Sequence, residues 1–129
     1  MTKKLILIID DDKLLRDSLG YLFTEKGHEV ALANNSENGL LEISKAKPDI
    51  ILLDILLPGK DGLQTIQEIC HIDKSLCDHI IMLTSLDDYK YLAKALEHGV
   101  SNYITKNTTT PKAIVDLVEN KLKGFEAKS

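Results

Sequence analysis

The chain has 129 residues, of which 43% are hydrophobic and 28% charged, so one compact domain can bury roughly two-thirds of its unfolded surface. The formal net charge is -4 and the lysines are scattered among acidic residues, which argues against direct nucleic-acid binding. No apolar run approaches the ~20 residues that span a bilayer, and no signal peptide is present, so we expect a soluble cytoplasmic protein with Cys70 and Cys77 reduced and buried.

Strand and helix patterns alternate from the N-terminus onward. Leu5 to Ile9 is a continuous apolar run, which is typical of a strand buried on both faces. Residues 13–26 then show helical spacing, and Gly27 suits the left-handed position that follows many helices. A second strand is predicted over 29–33, and it is followed by a helix that begins with Ser36 as its cap and ends near residue 46.

The same alternation continues to the C-terminal part of the chain. We predict further strands over 50–53, 80–83 and 102–105, and further helices over 61–69, over 87–98 and from Pro111 onward. Thr110 is the expected cap of the last helix. Five strands alternating with five helices require a parallel sheet with helices on both faces. We therefore predict a single α/β domain over residues 1–129, with a core over 4–123 and a frayed tail over 124–129.

Polar side chains collect where the strands end. The strand-end residues are Asp10, Asp11 and Asp12 after strand one, Asp54 after strand three, Thr84 after strand four and Lys106 after strand five. Ligands of open parallel sheets bind beyond these ends, where the winding reverses. Carboxylates from strands one and three would repel each other unless a cation lies between them, and Mg²⁺ prefers such oxygens. An aspartate can attack phosphorus if nearby cations neutralise the charge, so Asp54 is predicted to accept a phosphoryl group.

Four stretches of the chain resemble a known family. "LILIIDDDKLLR", "ILLDILLPGKDGL", "IIMLTS" and "GVSNYITKN" occur in the order and at the spacing of receiver (CheY-like) domains of two-component response regulators. The resemblance covers residue 4 to about residue 123. It implies a flavodoxin-like (βα)5 fold whose five parallel strands lie in the order 2-1-3-4-5. It also implies a signalling module that catalyses only its own phosphotransfer and dephosphorylation, rather than a conventional enzyme.

The resemblance further implies a role for each residue at the sheet edge. Asp54 would be the phosphoacceptor, and Thr84 and Lys106 would hold the phosphoryl oxygens. The implied Mg²⁺ ligands are Asp10, Asp11, Asp54 and the backbone carbonyl of Leu56. Tyr103 matches the switch aromatic of the family, which turns inward when the threonine moves toward the phosphoryl group. No other cofactor is implied.

The implied partners are a histidine kinase or phosphotransfer protein as donor, and a downstream protein or output domain as target. The target would bind the face formed by the predicted fourth helix, fifth strand and fifth helix, with the protein as a monomer or as a phosphorylation-dependent dimer. Two departures from the family stand out. Asn107 replaces the usual proline after Lys106, so we expect a trans peptide bond there. Leu56 and Leu86 are apolar and cannot orient water, which predicts a long-lived aspartyl phosphate.

Two alternative functions stay open. The chain could be a receiver cut from a larger regulator whose output domain follows residue 124. It could also be a small phosphatase of the haloacid-dehalogenase type, in which Asp10 and Asp12 form the nucleophile and acid pair, although Leu14 stands where that family has threonine or valine. A helix-capping role is the simpler expectation for Asp12. The four histidines lie near predicted element ends without metal-ligand spacing, so we expect them to be solvated or to complement helix dipoles.

Overall fold

A computed structural model describes residues 3–57, 62–85, 89–106 and 109–128. In chain order its elements are β1 (Leu5–Ile9), α1 (Lys13–Glu25), β2 (Glu29–Ala33), α2 (Ser36–Lys45), β3 (Ile50–Asp54), α3 (Gly62–Ile72), α4 (Lys74–Cys77), β4 (Ile80–Thr84), α5 (Tyr89–Glu97), β5 (Asn102–Thr105) and α6 (Pro111–Lys128). The strands form one parallel sheet in the order β2-β1-β3-β4-β5. The predicted α/β fold and strand order are therefore confirmed.

The sheet is buried on both faces, which explains the continuous apolar runs in its central strands. Side chains of a strand alternate between the two faces. One face presents Leu7, Ile9, Ile51 and Leu53 to residues of α2, α3, α4 and α5. The other face presents Ile6, Ile8, Ile50 and Leu52 to residues of α1 and α6. Helices thus cover both faces and leave the carboxyl ends of the strands as the edge where polar side chains meet.

Local capping signals account for most of the helix boundaries. The Asp12 side chain accepts a hydrogen bond from the Leu15 amide at 3.2 Å, as expected for the cap of α1. Thr110 Oγ1 accepts a hydrogen bond from the Ala113 amide at 3.2 Å at the start of α6. Gly27 follows α1 with φ at 91°, in the left-handed region that glycine adopts without strain.

The expected cap of α2 was wrong by one residue. Asn35, not Ser36, caps this helix, because the Asn35 side chain accepts a hydrogen bond from the Asn38 amide at 2.8 Å. Ser36 is buried, and its hydroxyl is hydrogen-bonded to that of Thr65 in α3. A hydroxyl at a helix start serves equally well as a cap or as a link to another helix, so the sequence alone did not separate the two roles.

The cysteine prediction was also wrong. Cys70 and Cys77 form a disulfide, and both residues are half-buried rather than fully buried. Seven residues along a continuous helix span about 10.5 Å, too far for such a bond. The helix is interrupted there. Asp73 accepts a hydrogen bond from the Ser75 amide and caps the short helix α4, which the sequence reading missed. This turn brings the two Cα atoms to 5.1 Å.

His28 is buried, which corrects the expectation of a solvated or dipole-complementing side chain. Its Nδ1 accepts a hydrogen bond from the Lys4 amide at 3.1 Å, so the proton lies on Nε2. Nε2 lies 2.6 Å from the Glu119 carboxylate in α6. The imidazole therefore joins the N-terminal edge of the sheet to α6, a pairing across 91 residues.

The last helix is longer than expected. It runs to Lys128, into the segment 124–129 for which a frayed tail was predicted. Gly124 costs about 1 kcal/mol relative to alanine in a helix, and no proline follows to end it. Among the described residues, no helix combines the length and the apolar character needed to cross a membrane.

Candidate functional site

The site is built around Asp54, the last residue of the central strand β3. Leu53 is paired with Ile9 in the neighbouring strand β1, so the next residues in the two strands, Asp54 and Asp10, meet at the sheet edge. Asp10 is fully buried and Asp54 is 5% exposed. Asp11, which is exposed, completes the group, and one carboxylate oxygen of each residue lies within 4.8 Å of the others. The predicted acidic cluster is therefore present.

Lys106 brings a positive charge into this cluster from β5. Its amide donates a hydrogen bond to the Thr84 carbonyl at 2.6 Å, which fixes the backbone beside the end of β4. Its Nζ lies 2.9 Å from Asp10 Oδ2 and 3.4 Å from Asp54 Oδ2. Burial disfavours the ammonium, but the hydrogen bond and charge of Asp10, aided by Asp54, outweigh it and raise the pKa of Lys106. The lysine therefore carries a proton at the site.

Asp54 has an unusual protonation equilibrium. Its burial, together with the negative charge of Asp10, raises the pKa of Asp54 to about 7. The ammonium of Lys106 and the Leu56 amide, which donates to Asp54 Oδ1 at 3.1 Å, act in the opposite direction without cancelling that rise. The edge thus holds more negative charge than its own donors stabilise.

Asp10 is held in place by its surroundings rather than by solvent. Its Oδ1 accepts a hydrogen bond from the Asp12 amide at 2.9 Å, and its own amide donates to the Ala33 carbonyl at 3.1 Å. Arg16 Nη1 donates to the Asp10 carbonyl at 2.7 Å. Arg16 was missed by the sequence reading, although side chains in a first helical turn point back toward the helix N-terminus, which was an available signal.

The start of α3 lies close to Ile55, the residue that follows Asp54. The Gly62 amide donates to the Ile55 carbonyl at 2.8 Å. A Cβ atom at residue 62 would lie 2.5 Å from that carbonyl oxygen and 2.6 Å from the Ile55 Cα, which no side chain can do without backbone movement. Glycine is therefore required at residue 62, where the chain passes close to the residue that follows Asp54.

Thr84 and Leu56 lie at the same edge, whereas Tyr103 lies within β5, opposite Met82. Thr84 is buried at the end of β4, one residue after Leu83, the register partner of Asp54. The Leu56 amide contacts the site by its hydrogen bond to Asp54 Oδ1, and Leu56 is 43% exposed. Tyr103 in β5 is 46% exposed, so its ring is directed outward. Leu86 and Asn107, and with Asn107 the expected trans bond, lie outside the described residues, as does Asp61, where the third helix was predicted to begin.

The edge has the properties of a site for a hard cation. Its three converging side chains offer only carboxylate oxygens, the ligand type that Mg²⁺ prefers. Asp10 Oδ2 is buried, and the described residues offer it no donor besides the Lys106 ammonium at 2.9 Å. The raised pKa of Asp54 indicates the same excess of negative charge. The residues present therefore fit a divalent cation.

Comparison with known proteins identifies the family. A family model described as the response regulator receiver domain matches residues 6–119. The chain belongs to this family. The family match confirms the resemblance noted from the sequence motifs. Receiver domains are signalling modules of two-component systems and not enzymes in the usual sense.

Relatives of this receiver domain include parts of larger proteins and isolated domains. The transcriptional regulatory protein AfsQ1 of Streptomyces coelicolor is 37% identical over 101 residues, which cover 78% of this chain and 44% of that protein. NtrX of Brucella abortus superimposes with a TM-score of 0.87 at 25% identity, covering 98% of this chain and 28% of NtrX. A putative response regulator from Chloroflexus aurantiacus gives 0.80 at 31% identity, covering 95% and 99% of the two chains. The chain thus spans less than half of the first two proteins.

Proposed function

We propose that this receiver domain accepts a phosphoryl group on Asp54 from a phosphohistidine of a histidine kinase or phosphotransfer protein. The observation that carries the proposal is the position of Asp54 at the end of the central strand, beside the Asp10 carboxylate and with the Lys106 ammonium close to both acids. The Asp54 carboxylate is positioned there as a nucleophile, and the Lys106 ammonium lies 3.4 Å from its Oδ2.

The transfer follows from the groups at the edge. An Asp54 oxygen attacks phosphorus, the phosphorus–nitrogen bond of the donor imidazole breaks, and the imidazole leaves with the bonding electron pair. Lys106 neutralises charge on the phosphoryl oxygens, and the Thr84 hydroxyl donates to the same oxygens. The Leu56 amide, which donates to Asp54 Oδ1, orients the carboxylate.

Mg²⁺ is the proposed cofactor, held by Asp10, Asp11, Asp54 and the Leu56 carbonyl. When bound, it neutralises carboxylate and phosphoryl charge. The chain's own part is to fix Asp10 through the Asp12 amide and Arg16, and to keep Asp54 close by through the pairing of β1 with β3.

Phosphorylation is proposed to alter the face formed by α5, β5 and α6, which are the predicted fourth helix, fifth strand and fifth helix. The added group brings roughly -1.5 to -2 charge next to Thr84, and movement of the threonine vacates space into which the exposed Tyr103 ring turns. A downstream protein or an output domain would then bind this face. Since AfsQ1 and NtrX extend well beyond the matched region, an output domain in the same polypeptide is the second candidate partner. We place the protein in the cytoplasm, where its kinase donor would be available.

The test is incubation with acetyl phosphate and Mg²⁺, followed by mass spectrometry of the intact chain and of its peptides. We expect one added phosphoryl group on the peptide containing Asp54, and none in Asp54→Ala. Asp12→Asn serves as control, because the Asp12 carboxylate caps α1 and should not be needed for labelling. Label on Asp10 would instead support the phosphatase alternative. Labelling of Asp54→Ala at the wild-type rate would refute the assignment of Asp54 as the phosphoacceptor.

A further inference from the structure

The Cys70–Cys77 disulfide lies away from the acidic edge, beside a cavity between α3, α4 and the end of α5. The cavity has a volume of about 480 Å³, and its lining includes both cysteines with Gln67, His71, Lys74 and His98. Both cysteines are half-buried. A small thiol or the thiol of another protein can therefore reach the sulfur atoms through the cavity without unfolding the domain.

The surroundings favour thiol–disulfide exchange. Lys74 lines the same cavity as both cysteines, as does Asp78, and a positive charge near a cysteine stabilises the thiolate that exchange produces. The segment between the cysteines is held independently of the disulfide. Asp73 caps α4 through the Ser75 amide and pairs with Lys47 at 3.0 Å. The two cysteines therefore stay close when the disulfide is reduced, so the bond can re-form without a large conformational rearrangement.

Cys77 also contacts the end of α5. Its Sγ lies 4.0 Å from the backbone carbonyl oxygen of His98. In the disulfide this sulfur carries no proton and cannot donate a hydrogen bond. A reduced Cys77 carries a proton and is within sulfur hydrogen-bonding distance of that oxygen. Carbonyls at the C-terminal end of a helix lack helical donors, so this oxygen is available to a new donor.

We propose that Cys70 and Cys77 form a reversible redox pair in which reduction exchanges the covalent link between Cys77 and α3 for a hydrogen bond from Cys77 to the end of α5. In reducing compartments, disulfides are uncommon, and those that form are usually transient and redox-sensing. The cytoplasmic location assigned under the proposed function therefore favours a switch over a purely structural link. The pair acts at α5, so its redox state would reach the proposed switching face.

The reaction is two-electron exchange with a dithiol or with two molecules of a monothiol such as glutathione. A reductant thiolate attacks one cysteine sulfur, the Cys70–Cys77 bond breaks, and the other cysteine leaves as a thiolate. A second reductant thiol then attacks the mixed disulfide. The protein gains two protons and two electrons and becomes a dithiol, while the reductant becomes a disulfide.

The test uses the full chain in its native state, without phosphorylation. The protein is treated with dithiothreitol or with oxidised glutathione, its thiols are trapped with a maleimide, and the intact mass is measured. We expect two maleimides per chain after reduction and none after oxidation, reversibly. Labelling of the oxidised chain without reductant, or reduction only in denaturant, would overturn the proposal.

A second readout distinguishes a switch from a simple cross-link. NMR of the His98 carbonyl carbon and the Gly99 amide is compared between the oxidised and reduced chain. We expect both signals to shift on reduction. Cys70→Ala, which keeps the Cys77 thiol, should show the reduced pattern, whereas Cys77→Ala, which lacks the donor, should not. Unchanged signals on reduction, or the same shift in both variants, would refute the link to α5. Neither readout depends on Asp54, so failure here is distinguishable from failure of the proposed phosphotransfer.

Discussion

Replacing Asp54 with asparagine should stabilise the metal-free protein. The charged carboxylate is buried beside Asp10, and this is the reason its pKa is raised to about 7. Asparagine has nearly the same shape and no charge. Its side-chain oxygen can still accept the hydrogen bond of the Leu56 amide. The variant therefore removes the repulsion while keeping the local contacts, and Lys106 keeps its closer partner, Asp10, at 2.9 Å.

The magnitude follows from the pKa difference between the folded and unfolded states. An unfolded aspartate has a pKa of about 3.9, so a folded value of about 7 corresponds to roughly 4 kcal/mol lost on ionisation. The edge has an open side, where water screens the charge, so we expect about 1–3 kcal/mol. For the wild type, ionisation of Asp54 does not lower the free energy of unfolding below pH 4. The free energy of unfolding then falls as the pH rises toward 7, and above the folded pKa it is lower by the full ~1–3 kcal/mol. The advantage of Asp54→Asn should grow over the same range.

The assay is urea unfolding at several pH values between 4 and 8 with a chelator present. Asp116→Asn makes the same chemical change at an exposed helical position and should have little effect at any pH. If Asp54→Asn is no more stable than the wild type at pH 8, or if its advantage does not depend on pH, the argument from buried like charges is refuted.

Three further substitutions probe the same edge. Gly62→Ala should destabilise the domain by about 1–3 kcal/mol, because the added methyl group meets the Ile55 backbone, whereas Gly124→Ala, with open space around it, should be neutral or stabilising in the same urea titration. Lys106→Met should cost about 1–3 kcal/mol in metal-free buffer, since it leaves the buried Asp10 without its cationic partner. Leu56→Gln should speed the loss of phosphoryl label from phosphorylated protein several-fold, less than the ~100-fold of a positioned acid or base, by supplying a polar group that can orient water.

The controls for the last two use matched exposed positions. Lys112→Met removes an exposed lysine in α6 and should leave stability nearly unchanged, so an equal loss there would contradict the role given to Lys106. Leu117 has the same exposed fraction as Leu56, 43%, but lies in α6. If Leu117→Gln accelerated label loss as much as Leu56→Gln, the effect would not come from water at the site.

The fold and the acidic cluster were predictable because their signals are local. Strand β1 lies over the predicted range Leu5–Ile9, since a short apolar run bounded by polar residues is typical of a buried strand. The partly exposed strands β2 and β5 also lie over their predicted ranges, 29–33 and 102–105. Asp10 and Asp54 come directly after such runs, and a parallel sheet brings strand ends together whatever the loops do. The sequence therefore placed the carboxylates beside each other before any distance was known.

Several of the missed features depend on contacts that the local sequence pattern does not show. Nothing near His28 indicates that Glu119 will lie 2.6 Å away. Likewise, the spacing of Cys70 and Cys77 forbids a bond in a continuous helix, and only the turn at Asp73 permits it. The close approach of residue 62 to Ile55 is likewise a three-dimensional contact that the local sequence pattern does not show.

The charge at the edge explains why the metal-free site should lower the stability of the domain and why it suits the proposed phosphotransfer. Among the described residues, three carboxylates and the Lys106 ammonium converge there, so negative charge is in excess before any ligand binds. A phosphoryl group on Asp54 would increase that excess, since it carries about one negative charge more than the carboxylate it replaces. A divalent cation would offset both, so its binding and phosphorylation must favour each other by the same free energy. The instability expected for the metal-free protein and the proposed need for Mg²⁺ are therefore two consequences of one arrangement of charges.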